Sequence, residues 1–212
     1  IARYQGLCGL EVTGSGFVQD NSPGGIDRIV ARFYVLNDNT GTAEIYGGYG
    51  NTAGGSQVFS VDLDNAGNVT LTDTATGVSV SQSGATNWLS VEIDWARGAN
   101  GAISLSVNGQ GAVENAASNG AAAALQSVRL GNLDGAPGVL GFDSYESRRS
   151  TAVGRLLVAD ANNDGNINAQ DIVAVRNEIL GSALAIGTPD CNENGVINAQ
   201  DAVCTRGIIL GP

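Results

Sequence analysis

Two stretches of this chain place oxygen-bearing side chains at alternate positions. One runs Asp160, Asn162, Asp164, Asn166, Asn168 and closes on Asp171. The other runs Asp190, Asn192, Asn194, Asn198 and closes on Asp201, with Val196 as its one apolar interruption. Gly165 and Gly195 hold the sixth place in each. Ca²⁺ takes six to eight oxygens, and a 12-residue loop supplies them from positions 1, 3, 5, 7, 9 and 12, with Gly at 6 for the sharp turn. Position 7 gives a backbone carbonyl, so Val196 serves there as well as Asn166. The spacing predicts two Ca²⁺ ions, with the first loop tighter because it has three carboxylates against two. Position 12 is Asp in both loops, a short arm that must draw the following helix towards the ion. The competing reading is a pair of Asx-rich turns that merely cap helices. The full ligand spacing, present twice, favours the metal.

The loops belong to an internal repeat. DANNDGNINAQDIVAVRNEILG (160–181) aligns without gaps on DCNENGVINAQDAVCTRGIILG (190–211). Each copy reads as a loop, a short helix at about 170–180 or 200–210, and a capping Gly181 or Gly211. Apolar residues recur at helical spacing, Ile172, Val175 and Ile179 in one copy and Val203, Ile208 and Ile209 in the other. The two helices are expected to pack on each other through them. Ile167 and Ile197, at position 8, are expected between the paired loops. Cys191 and Cys204 stand where the first copy has Ala161 and Ala174. Their joint replacement in one copy predicts a disulfide and an oxidising compartment, leaving Cys8 as a buried free thiol.

This pattern, Asp-x-Asn-x-Asp-Gly-x-Ile-Asn-x-x-Asp followed by a helix, twice, resembles a type I dockerin over about 155–212. The resemblance implies an extracellular bacterial module that folds around two Ca²⁺ ions and docks on β-sandwich partners called cohesins. It also implies that loop positions 10 and 11 and basic residues on the next helix face that partner. Here these are Ala169, Gln170 and Arg176, with Ala199, Gln200 and Arg206 one repeat later. Their near-identity would permit docking in two orientations. The Ala-Gln pairs depart from the hydroxyl pairs common in cellulosomal members.

Residues 1–152 read differently. IVARFYVL, AEIYGGYG, QVFSVDL, VTLTDT, SVRLGNL and GVLGFDSYESR are short β-prone runs between turn signals. In WLSVEIDW (88–95), Trp88, Ser90, Glu92 and Asp94 face one way and Leu89, Val91, Ile93 and Trp95 the other. With AISLSVNG it makes a hairpin over 88–107. About a dozen strands without helical periodicity predict an antiparallel sandwich; AASNGAAAALQ (116–126) is at most a loop or one turn. The segment resembles concanavalin A-like, laminin G-like jelly rolls, a fold that hosts lectins, glycoside hydrolases and adhesion modules alike. Glu92 and Asp94 begin the Glu-x-Asp-x-x-Glu pattern of some jelly-roll glucanases, but Trp95-Ala96-Arg97 follows and the third acid is missing. With no His in the chain there is no Ser-His-Asp triad and no His-based zinc site. Tyr46, Tyr49 and Trp88 form a candidate platform for stacking sugars.

Composition agrees. Ten Arg against 21 acids give a net charge of −11, which argues against nucleic-acid and anionic-membrane binding. The start, IARYQGLCGLEV, has no secretory h-region, so an exported form is expected to have shed its signal. No apolar run approaches the ~20 residues of a membrane span. The expectation is a mainly β protein: a jelly-roll sandwich over 1–152 and a small α module of two calcium loop–helix repeats over 153–212. It is read as a secreted, non-catalytic, calcium-dependent assembly or adhesion protein. Its partner is a cohesin-like sandwich or another copy of itself, giving a homo-oligomer or filament; carbohydrate is the alternative ligand.

Overall fold

The computed structural model describes residues 3–84 and 87–211. Strands are numbered in chain order. β1 (Leu10–Thr13), β12 (Gly138–Arg148), β3 (Arg28–Asn39), β8 (Trp88–Ala96), β9 (Ala102–Val107) and β10 (Val113–Ala116) form one antiparallel sheet in that order. β2 (Gly16–Asp20), β11 (Ser127–Asn132), β4 (Ala43–Tyr49), β5 (Gln57–Leu63), β6 (Asn68–Asp73) and β7 (Ser79–Ser83) form the second. The chain is therefore mainly β, a two-sheet jelly-roll sandwich followed by two helices. The two sheets pack face to face because successive side chains on each strand point to opposite faces. Leu89, Val91, Ile93 and Trp95 go inward with Phe33 and Val35, to meet Ile45, Phe59 and Leu71 of the other sheet. The 88–107 hairpin forms as the alternation predicts, with Ile93 opposite Leu105. Residues 116–126 carry no helix: they leave β10 and run over the core as irregular chain. Asn119 in this segment donates to the buried Asp73 carboxylate at 2.5 Å, beside Trp95 Nε1 at 2.8 Å, so this buried acid is satisfied.

Two expectations for the sandwich fail. Tyr46, Tyr49 and Trp88 are all buried and offer no open platform. Tyr46 tilts against Phe33 and Phe59 between the sheets, and Trp88 is covered from outside, as described below. Cys8 is free but exposed, because it precedes β1 and never enters the core.

α1 (Ala169–Ile179) and α2 (Ala199–Leu210) follow the two loops. Both start with a capping box, in which Asn168 or Asn198 accepts from the Gln two residues on and the Asp171 or Asp201 carboxylate takes the cap's own N–H. α1 ends in a Schellman motif: Gly181 N donates to Glu178 O and Ser182 N to Asn177 O, with Gly181 at φ +67°. The helices touch, and of the predicted stripe Val175 lies in the contact. Val203, Ile208 and Ile209 are exposed, as is Ile179. The contact instead uses a small cluster of Ala161, Val175 and Ala185 with Ala174, Ile197 and Ala202. The buried ridge on each helix begins at the loop-closing Asp, giving Asp171/Val175 and Asp201/Thr205. The loops thus fix which side faces inward, and the apolar side is turned out. None of the described helices is long and apolar enough to cross a membrane.

Candidate metal centre

The two loops fold on the same hydrogen-bond skeleton. The Asp160 carboxylate accepts from Asp164 N (3.0 Å) and Gly165 N (2.9 Å); Asp190 accepts from Asn194 N (3.1 Å) and Gly195 N (2.7 Å). Asn162 and Asn192 accept from the backbone two residues on, as do Asp164 and Asn194. The closing carboxylates fold back: Asp171 takes Asn162 N (3.2 Å) and Asn168 N (2.7 Å), and Asp201 takes Asn192 N (3.3 Å) and Asn198 N (2.8 Å). Asn163 and Glu193, at position 4, and both loop glycines adopt positive φ, which curls each backbone around its own side-chain oxygens. Asn168 and Asn198 point into helix N-termini, as caps. Asn166 and Val196 sit at the turn, where Asn198 Nδ2 reaches the Val196 carbonyl at 3.2 Å.

The residues present fit a divalent cation. Asp160, Asp171, Asp190 and Asp201 are all buried, and none is in an arginine ion pair among the described residues. Buried carboxylates carry a heavy desolvation cost unless a counter-charge meets them. Asp190 shows that cost: burial, then the negative charges of Asp201 and Glu193, push its carboxyl up to about 6 against the pull of two backbone N–H groups. Among the described residues no three His, Cys, Asp or Glu side chains gather at one point. The donors are carboxylates, amide carbonyls and backbone, a hard-oxygen set of the kind Ca²⁺ takes.

Cys191 and Cys204 form the predicted disulfide, with Cα atoms 5.9 Å apart. The corresponding Ala161 and Ala174 of the first copy lie in the apolar cluster, so one repeat is clasped by packing and the other by a covalent bond. Cys191→Ala/Cys204→Ala is expected to lower the module's unfolding free energy by about 3 kcal/mol, the loop-entropy value for a closure of this length. Thiol titration of the unreduced, unfolded chain should find one group, Cys8; three would disprove the bridge.

The predicted partner-facing residues, Ala169, Gln170, Arg176, Ala199, Gln200 and Arg206, are all exposed. They run with Val173 (54% exposed) on α1 and Leu180 (66%) at its C-cap, and with Val203 (69%) and Leu210 (69%) on α2. Spacings of three and four put each set on one helical stripe, and the repeat writes the same stripe twice.

Glu92 and Asp94 do share the outer face of β8, but each is engaged. Asp94 holds Arg28 in a fork at 3.0 and 2.6 Å. Glu92 accepts from Val153 N (3.0 Å) and Gly154 N (2.6 Å), pinning the chain that leaves the sandwich. Missing from the sequence reading altogether is the joint between the two parts. Tyr4, Tyr34 and Trp88 form their own buried cluster against Leu36 and Leu156, and Glu193 of the second loop enters it. The only signal in the sequence is that position 4 is Asn163 in one copy and Glu193 in the other.

Known proteins resemble the two parts of the chain separately. Residues 158–205 match the family model described as the dockerin type I domain. No curated protein matches the chain. Among solved structures, an HCR/D mutant superposes at a TM-score of 0.51 with 16% identity over 68% of this chain and 39% of its own, a likeness of fold alone. The leech intramolecular trans-sialidase gives 0.48 at 14% identity over 69% of this chain and 26% of its own. The CBM40 of the Ruminococcus gnavus IT-sialidase gives 0.46 at 14% over 68% and 90%. The chain thus spans about a quarter of the trans-sialidase.

Proposed function

We propose that this chain is a non-catalytic, calcium-dependent assembly protein. Residues 153–212 form the docking module, with one Ca²⁺ in each loop held by Asp160, Asn162, Asp164, Asn166, Asn168 and Asp171, and by Asp190, Asn192, Asn194, Val196, Asn198 and Asp201. Residues 1–152 are the sandwich it carries. The observation that supports this reading best is the twice-written exposed stripe. Four large aliphatic side chains at repeat-related positions face solvent beside Gln170/Arg176 and Gln200/Arg206, and a two-copy apolar face of this kind marks a protein-binding site. The partner is a β-sandwich, cohesin-like or another copy of this chain; in the latter case the head-to-tail contact builds rings or filaments. The disulfide fits an extracellular setting; secretion from a bacterium is part of the same reading.

The test is light scattering and electron microscopy of the whole chain in Ca²⁺ and in EGTA, with binding to immobilised cohesins alongside. Oligomers or cohesin binding in Ca²⁺ only, lost by at least tenfold in Val173→Asp/Val203→Asp, are expected. Calcium-independent behaviour, or full retention by the double variant, would overturn the proposal.

A second reading, carbohydrate binding, has one observation in its favour. The sheet register sets Asp94, Ser104 and Glu114 side by side on β8, β9 and β10. With Arg28 they line a polar cleft of about 250 Å³ that contains hydroxyls and carboxylates but no aromatic ring. A glycan array separates the two readings, and release of reducing sugar would contradict both.

A further inference from the structure

The two loops share a skeleton but not their surroundings. In the first loop, position 4 is Asn163, exposed, whose side chain accepts from Gln5 Nε2 at 3.1 Å. In the second, the same place holds Glu193, buried at the end of the sandwich. Its carboxylate accepts from the Tyr4 hydroxyl at 2.6 Å and pairs with Arg155. Burial, with the charge of Glu193, pushes the Tyr4 hydroxyl far up, so it stays a donor. Tyr4 stacks on Tyr34 at 3.7 Å and meets Trp88 edge-on at 5.5 Å, and Tyr34 Oη accepts from Leu156 N at 2.8 Å.

The backbone of the loop is held as well. Trp88 N donates to Glu193 O (3.2 Å) and Asn87 Nδ2 to Asn194 O (2.8 Å). Gly195 lies so close that a Cβ there would stand 3.1 Å from Leu36 and 3.9 Å from the Trp88 indole nitrogen. Residues 193–195 are the middle of the loop, between ligand positions 3 and 7. Glu193 also sits at φ +56°, a conformation that costs a glutamate more than it costs an asparagine. The strain is held by contacts with the sandwich.

The same three residues therefore shape both the metal loop and the joint, and two equilibria that share a structural element are coupled. We propose that the second loop is a calcium-operated latch: the ion that fills it also locks the docking module in one orientation on the sandwich, and its loss frees the module. The first repeat meets the N-terminal segment through Arg3, which pairs with Glu178 and donates to Ala185 O, and through Gly6 N to Ile186 O; these contacts lie on α1 and the linker, and its metal loop adds the exposed Gln5–Asn163 bond. This inference rests on the metal reading of the second loop given above.

Linkage is reciprocal, so weakening the joint from the sandwich side must weaken the ion. Tyr4→Phe/Arg155→Gln alters no proposed ligand. It is expected to lower calcium affinity at the second site by about tenfold, within the usual range of such couplings, and to leave the first site unchanged. Plain electrostatics predicts the opposite sign, because deleting an arginine beside an acidic loop favours a cation.

Trp88 is a built-in reporter of the joint, with Trp95 a constant background from the core. Calcium titration calorimetry, with tryptophan emission and small-angle scattering in parallel, is the experiment. Asp190→Asn should red-shift the emission and enlarge the particle in calcium, whereas Asp160→Asn should do neither. Two bound ions with emission and scattering identical in Ca²⁺ and EGTA would overturn the latch alone, as would unchanged or tighter calcium binding by the double variant. A wild type that binds no ion at the second loop would overturn the metal reading and the latch with it. Native mass spectrometry distinguishes these cases by counting ions, and an unshifted sandwich melting transition shows that each variant is folded.

Discussion

Chelation with EGTA is expected to unfold residues 153–211 while the sandwich keeps its own melting transition. The module cannot stand on packing alone. Its buried apolar cluster is mostly alanine, with Val175 and Ile197 as the larger members, and deeply apolar burial is worth only about 0.8 kcal/mol per CH₂. Against this it buries four carboxylates whose described partners are backbone N–H groups. An ion at a thousand times its dissociation constant adds about 4 kcal/mol per site. Removing both ions takes away more than so small a core supplies, with the Cys191–Cys204 bridge left to restrain the second repeat. Asp171→Ala and Asp201→Ala should each cost about 3 kcal/mol in calcium, because each change also strands two N–H groups that the carboxylate accepts from. The check is differential scanning calorimetry with far-UV circular dichroism. Two transitions in calcium, with the lower one lost in EGTA, are expected. A single transition unmoved by EGTA would show that the loops are the Asx-turn caps that compete with the metal reading.

Much of this was legible in the sequence because it is local. Asx spacing, the loop glycines, the caps at 181 and 211, and the alternation of β8 are short-range rules, and each appears where the residues put it. The disulfide was legible because the repeat supplies its own control, Ala161 and Ala174. What failed depended on long-range contacts. Helical periodicity turned Val203, Ile208 and Ile209 inward, but the loop-closing aspartates set the rotation of each helix and leave that stripe for something outside. Trp88 read as exposed because the strand alternation places it on the outer face of β8, and only the docked second loop covers it. Glu193, at a loop position that supplies no ligand, carried no expectation at all.

Gly187→Ala is expected to be the most damaging single substitution in the module. A Cβ at Gly187 would lie 1.8 Å from the Asp160 carbonyl oxygen, 2.8 Å from Asn163 N and 2.9 Å from Ala161 C. All three atoms are backbone, so no side chain can rotate away. The residue is pressed there by two bonds, Gly187 N to Ala161 O at 2.9 Å and Thr188 N to Asp160 O at 2.8 Å, which tie the linker between the repeats to the first ligand position. To admit one methyl group the linker must lift off and give up both bonds, and overpacking of this kind costs about 3 kcal/mol or more. Because Asp160 moves with it, calcium affinity of the first loop should fall as well. Gly181→Ala is the informative control: it sits at φ +67° with nothing within 4 Å of its Cβ position, so it pays only for the left-handed backbone, about 1 kcal/mol. The sequence marks Gly181 as a helix cap and carries no sign that Gly187 is the more constrained of the two. Thermal unfolding of both variants in saturating calcium is the measurement; a Gly187→Ala protein as stable as Gly181→Ala would mean that the linker does not press on the first loop as described.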